Sequence, residues 1–129
     1  MNEQAPYVVP LAELGSSDVS LVGGKNASLG EMIQHLKEAG IRVPGGFATS
    51  TRAYWEFLEK NELKERISAE LERYHSGRVK LETAGKSVRR LFLQAKFPAA
   101  AAEAVKRAYA DINVEAGGRG PAVAVRSSA

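Results

Sequence analysis

The chain contains no cysteine. Disulfides, thiolate metal sites and a cysteine nucleophile are therefore excluded. Histidine is nearly as scarce: His35 and His75 stand far apart, with no spacing that suits metal ligation. No apolar run approaches the roughly 18–20 residues that a membrane-spanning helix needs. The uncharged stretches at 5–12 and 43–51 are short and broken by Pro or Gly. Met1-Asn2-Glu3-Gln4 offers no basic region ahead of an apolar one, so no secretory signal is expected. No pair of carboxylates stands out as a catalytic acid and base, and no acidic cage for a metal is visible.

What is present fits one folded domain. The 129 residues suffice for one domain and are too few for two ordinary ones. Leu, Ile, Val and Phe supply 30 residues and Ala another 20, so the core is built from few large side chains. Aliphatic residues are spread along the chain and charge is an ordinary 26%, which argues against disorder. The net charge of +3 is unevenly placed. Residues 1–60 hold five basic and seven acidic side chains; residues 61–129 hold thirteen and eight. The second half would favour an anionic partner, although a solvated basic face is the commoner cause of such a bias.

Tyr7-Val8-Val9-Pro10-Leu11 reads as a short extended segment whose proline suits an edge strand or a strand end. Gly15-Ser16-Ser17-Asp18 reads as a turn. Leu29, Met32, Ile33 and Leu36 follow helical spacing; Ser28 and Glu31 fit a capping box, with a start one turn earlier as the alternative, and Gly40 ends that helix. Residues 41–49 are extended, with a Pro44-Gly45-Gly46 turn. Thr49, Ser50 or Thr51 can cap a second helix carrying Ala53, Tyr54, Phe57 and Leu58, with Tyr54 and Trp55 expected in the core. A third follows Asn61, with Leu63, Ile67, Leu71 and Tyr74 on one face, and Ser76-Gly77 breaks it. A fourth carries Leu81, Ala84, Val88, Leu91, Phe92 and Ala95. Pro98 suits the start of a fifth, lined by Ala101, Val105, Ala108 and Ile112. After the Gly117-Gly118-Arg119-Gly120-Pro121 loop, Ala122-Val123-Ala124-Val125 reads as a strand. About five helices and three short strands in this order imply a mixed α+β arrangement, not a bundle. A strand followed at once by a polar triplet is an unusual domain end, so the chain is expected to be part of something longer.

Two segments could carry chemistry. Gly23-Gly24-Lys25-Asn26 precedes a helix, whose N-terminus presents unpaired N–H groups and about half a positive charge. A lysine there is misplaced electrostatically unless an anion occupies the site. A glycine turn followed by a solvated lysine costs well under ~1 kcal/mol, and spacing alone favours it. The segment lacks the Walker A frame. Arg126-Ser127-Ser128, just past the last strand, also suits phosphate oxygens, although the same residues suit a loose tail. The basic helix, with Arg78, Lys80, Lys86, Arg89, Arg90 and Lys96 against Glu82, has no stacking aromatics and reads as a solvated face.

Taken in order, Val22-Gly23-Gly24-Lys25-Asn26-Ala27-Ser28-Leu29-Gly30-Glu31-Met32, Gly40-Ile41-Arg42-Val43-Pro44-Gly45-Gly46-Phe47-Ala48-Thr49, Ala53-Tyr54 and Ala124-Val125-Arg126-Ser127-Ser128-Ala129 resemble the phosphoenolpyruvate synthase family. More broadly they resemble the ATP-binding region shared with pyruvate phosphate dikinase and rifampicin phosphotransferase. Gly45 departs from the usual Val-Pro-Pro-Gly-Phe, which relaxes the turn and leaves the chemistry untouched. The resemblance implies the N-terminal portion of an ATP-grasp-type nucleotide-binding domain, with residues 1–129 a partial domain truncated at its C-terminal side. It implies that Lys25 and Arg126 contact ATP phosphates, the same two positions that the electrostatic reading singles out. It further implies a cytoplasmic enzyme that uses ATP, water and Mg²⁺ to phosphorylate a histidine, with release of AMP and phosphate; the phosphohistidine then passes its phosphoryl group to pyruvate, giving phosphoenolpyruvate. The metal ligands, adenine pocket and reactive histidine are expected outside these residues, so the piece alone is expected to be inactive and prone to self-association through uncovered apolar surface. Neither a membrane nor a nucleic acid is expected as partner. The alternatives are a related dikinase or antibiotic phosphotransferase, and a non-catalytic basic module built from the last two helices, whose mark would be salt-sensitive nucleic-acid binding.

Overall fold

A computed structural model describes residues 5–128. These fall into two compact units, one formed by residues through Tyr54 together with those from Ala99 onward, the other by Trp55–Pro98.

The first unit is organised around a short hairpin-like pair. Strand β1 (Val8–Pro10) runs antiparallel to β2 (Phe47–Thr49), with Val8 opposite Thr49 and Val9 opposite Ala48. Pro10 sits at the strand end, where its missing N–H costs nothing. Two further bonds extend the ladder: Leu11 N–H to the Gly46 carbonyl and Ser50 N–H to the Tyr7 carbonyl, both 2.9 Å. Two 3₁₀ turns, Leu11–Glu13 and Ser16–Asp18, lead into a single helical turn, α1 (Val19–Val22), and then α2 (Gly24–Glu38). Gly40, at φ +76°, closes α2: its N–H reaches the Lys37 carbonyl and the Ile41 N–H reaches that of Leu36. That pair of bonds is a Schellman stop.

The core of this unit is Val9, Leu14, Val22, Ala27 and Ala48, flanked by Leu11 and Leu21. Small residues let α2 approach closely. A β-carbon on Gly30 would lie 2.5 Å from both the Cβ and the carbonyl oxygen of Leu14. Since a backbone oxygen cannot swing away, Gly30→Ala is expected to cost about 1–3 kcal/mol, as overpacking does, read as a lower urea midpoint at unchanged slope. Gln34 fastens the same face by donating from Nε2 to the carbonyls of Leu14 (2.7 Å) and Ala12 (3.2 Å). Helix α6 (Ala99–Glu115) packs beside β1 and buries Ala101.

Helix α3 (Thr51–Lys60) runs from the first unit into the second. The second unit continues with α4 (Leu63–His75) and α5 (Leu81–Gln94), which pack together and are joined through Gly77 at φ +74°. Leu63 is fully buried and Leu58 and Ala84 nearly so. Phe57 stacks on Phe92 and tilts against Phe97, at centroid distances of 5.8 and 5.7 Å. Asn61 ties the ends together: its amide donates to the Phe57 and Lys96 carbonyls and accepts from the Lys96 N–H, each at 2.8 Å.

Several expectations are corrected. Six helices and two strands are present among the described residues, so the fold is mixed but helix-dominated. Helix α2 begins at Gly24, which places Ser28 and Glu31 inside it, where a capping box has no orphan amides to serve. The expected strand at 122–125 does not form, and Val123 and Val125 are exposed. Val and Ala can adopt an extended backbone, but a strand exists only beside a partner, and none pairs with it among the described residues. Tyr54 and Trp55 are about half exposed rather than core. Thr51 Oγ1 turns to the Ser20 carbonyl, while the buried Ser50 hydroxyl has no hydrogen-bond partner among the described residues, so neither makes the expected cap of α3.

Candidate functional site

Lys25 and Arg126 meet at the start of α2. Lys25 is there because Gly23 (φ +84°) turns the chain sharply out of α1 and the next residue begins α2. Only glycine adopts that backbone geometry without strain. Arg126 arrives from the other end of the sequence. Its Nη2 donates to the Lys25 carbonyl at 3.4 Å across 101 residues of chain. Both line one open cleft of about 430 Å³, together with Gly24, Ser28, Leu29 and Met32. The Lys25 and Arg126 side chains have no carboxylate within ion-pair distance among the described residues. Among the described residues the cleft therefore carries two cations without an ion-pair partner, beside the apolar side chains of Leu29 and Met32. Such a surface attracts an anion, and the apolar wall suits one with an organic body.

The third residue of the expected phosphate segment behaves differently. The Ser128 hydroxyl accepts the Asn26 N–H at 3.1 Å, and its carbonyl faces the Lys25 N–H at 3.5 Å. Ser128 thus occupies first-turn amides that the sequence reading had left open to an anion. Ser127 is exposed and is not among the residues that line the cleft. Met32, which the helical spacing groups with Leu29, Ile33 and Leu36, is 49% exposed and lines the cleft. The signal for that was present: Ala27, Gly30 and Ile33 form the buried stripe of α2, and Met32 lies off it.

The remaining candidates lie elsewhere. His35 is exposed on α2, 3.9 Å from carboxylates of both Glu31 and Glu38, and His75 is the last residue of α4. On α5, Arg89 and Arg90 are exposed, and Lys86 pairs with Glu82 at 2.9 Å. Among the described residues no three of His, Cys, Asp and Glu gather, so these residues do not fit a Mg²⁺ centre. None of the described helices is long and apolar enough to cross a membrane.

Fold and cleft together describe a helix-dominated α+β chain with a cationic, partly apolar cleft. Residues 19–129 match the family described as pyruvate phosphate dikinase, AMP/ATP-binding domain, and the chain belongs to that family. It is similar to curated relatives named phosphoenolpyruvate synthase. That of Deinococcus radiodurans is 46% identical over 121 residues, 93% of this chain and 15% of the relative. That of Neisseria meningitidis serogroup B is 48% identical over 124 residues, 95% and 16% respectively. That of Escherichia coli K12 is 39% identical over 129 residues, 99% and 16%. The chain therefore spans about one-sixth of the length of the relatives it matches.

Proposed function

We propose that this chain is the ATP-binding part of a phosphoenolpyruvate synthase, in an ATP-grasp-type domain of which residues 1–129 are one portion, with Lys25 and Arg126 holding the nucleotide's phosphates. One observation carries the reading: two cations 101 residues apart in sequence share one cleft, and among the described residues no carboxylate pairs with either. Bound ATP supplies the phosphoryl group that the parent enzyme moves, by way of a histidine, to pyruvate; water takes up the other phosphoryl group, so that AMP and phosphate are released. The residues here do the electrostatic part. The Lys25 ammonium acts as a point charge and the Arg126 guanidinium as a fork on neighbouring oxygens, lowering the cost of the charge that builds during transfer. Mg²⁺ belongs to the same reading, held by residues other than those described, as does a cytoplasmic setting. The chain alone is not a complete catalyst on this reading.

The difference between the two cations is testable. Arg126→Lys keeps the charge and loses the fork. It is expected to weaken ATP binding by roughly tenfold, the worth of one charge-assisted hydrogen bond, and Arg126→Ala by more. Calorimetric titration of the full-length protein reads both; equal affinity in all three forms assigns Arg126 to a tail with no ligand. The basic-module alternative is separated by salt: it alone requires nucleic-acid binding that falls steeply between 50 and 200 mM salt.

A further inference from the structure

We propose that Ser128 is a positioning residue for the cleft. It clamps residues 126–128 to the start of α2 and so sets where the Arg126 guanidinium stands relative to Lys25. The inference rests on the phosphate reading of those two cations and extends it to a residue whose hydroxyl is taken up by the protein itself.

Three observations support the clamp. First, α2 starts at glycine, with Gly23 in the capping position, so the helix has no side chain of its own to satisfy its first amides. Ser128 supplies that cap from 102 residues away: Asn26 N–H donates to its hydroxyl at 3.1 Å, and Lys25 N–H points at its carbonyl at 3.5 Å. A serine hydroxyl on a first-turn amide is what an ordinary helix obtains from its own preceding residue. Second, the approach is tight enough to demand glycine opposite. A β-carbon on Gly23 would fall 2.6 Å from Ser128 Oγ and 2.9 Å from both its Cβ and its carbonyl oxygen. Third, the segment has little else to hold it. Residues 122–125 pair with no strand, and the hydrogen bonds that tie 121–128 to the rest of the described residues are those of Arg126 and Ser128 to α2.

The chemical consequence is a division of labour. With the Asn26 amide bonded to the Ser128 hydroxyl and the Lys25 amide facing its carbonyl, the phosphates meet chiefly the two side-chain cations rather than these two amides. One donor of the Arg126 fork is already committed to the Lys25 carbonyl. That leaves the rest of its five N–H groups for an anion, at a position that Ser128 fixes.

The test compares Ser128→Ala, Ser128→Thr and Lys25→Ala in the full-length protein, each titrated with ATP by calorimetry. Removing the hydroxyl should weaken ATP binding roughly fivefold, the usual worth of a helix cap, while Ser128→Thr, which keeps it, stays within about twofold of wild type. In Ser128→Ala, hydrogen exchange at the Asn26 amide should accelerate severalfold, with the amides of Val9 and Ala48 unchanged. If Lys25→Ala loses ATP affinity but Ser128→Ala does not, the clamp is wrong and the phosphate reading stands. If Lys25→Ala binds ATP as wild type does, the phosphate reading fails and takes the clamp with it. Tighter binding by Ser128→Ala would overturn the proposal, because Ser128 would then be competing with phosphate for the first-turn amides. Faster exchange throughout the core would also overturn it, since Ser128 would then serve folding alone.

Discussion

Lys25→Ala should lower ATP affinity by roughly 10- to 150-fold, the range for a lost charge-assisted hydrogen bond of about 1.5–3 kcal/mol. The loss should appear with the fold intact. Lys25 is exposed on the cleft wall, and its ammonium supports no ion pair among the described residues, so truncation leaves no cavity and no orphaned partner. Adenosine, which has no phosphates, should bind wild type and variant alike. The variant should likewise fail to pass phosphate from ATP to the parent enzyme's histidine. Turnover near that of wild type would show that Lys25 is the solvated lysine that spacing alone suggested. Rising salt should shrink the difference between the two proteins, because the cleft is open and its charges are screened.

Leu14→Ala should destabilise the first unit by about 2–5 kcal/mol, the usual range for emptying a buried leucine site. Leu14 is 1% exposed and belongs to the core shared by β1, β2 and the helices beside them. Its carbonyl receives Gln34, and Gly30 of α2 lies directly against it. Little can collapse into the space, because the α2 residues shown against Leu14 and its cluster, Ala27 and Gly30, have no bulk to offer. The loss should therefore fall near the upper part of that range, as a lower denaturation midpoint. A shift below 0.5 kcal/mol, typical of a surface change, would place Leu14 outside the core. Loosening here should also reach the cleft, since Leu14 seats the helix that carries Lys25.

Those two residues mark what was legible in the sequence. Lys25 could be singled out because a cation at a helix start conflicts with the helix's own charge, and the conflict is local. Helix stops at Gly40 and Gly77 were legible for the same reason: a left-handed residue after an amphipathic run needs no tertiary information. Leu14 was not, since it lies in the loop between two 3₁₀ turns, where no periodicity exists. Helical spacing groups Met32 with Ile33 because it gives weight to large side chains, while α2 packs through Ala27, Gly30 and Ile33. Residues 122–125 have strand composition, but a strand is a relation between two segments, and the second cannot be read from the first. Ser128 illustrates the same limit at the site itself. Its hydroxyl suited phosphate in the sequence and caps a helix in the fold, because the helix start it meets lies 102 residues away.

The most direct test is a crystal structure of the full-length protein with a non-hydrolysable ATP analogue. The account expects phosphate oxygens within about 2.7–3.2 Å of both the Lys25 Nζ and the Arg126 guanidinium, inside one cleft at the start of α2. Phosphates bound elsewhere, with either cation left in solvent, would contradict it.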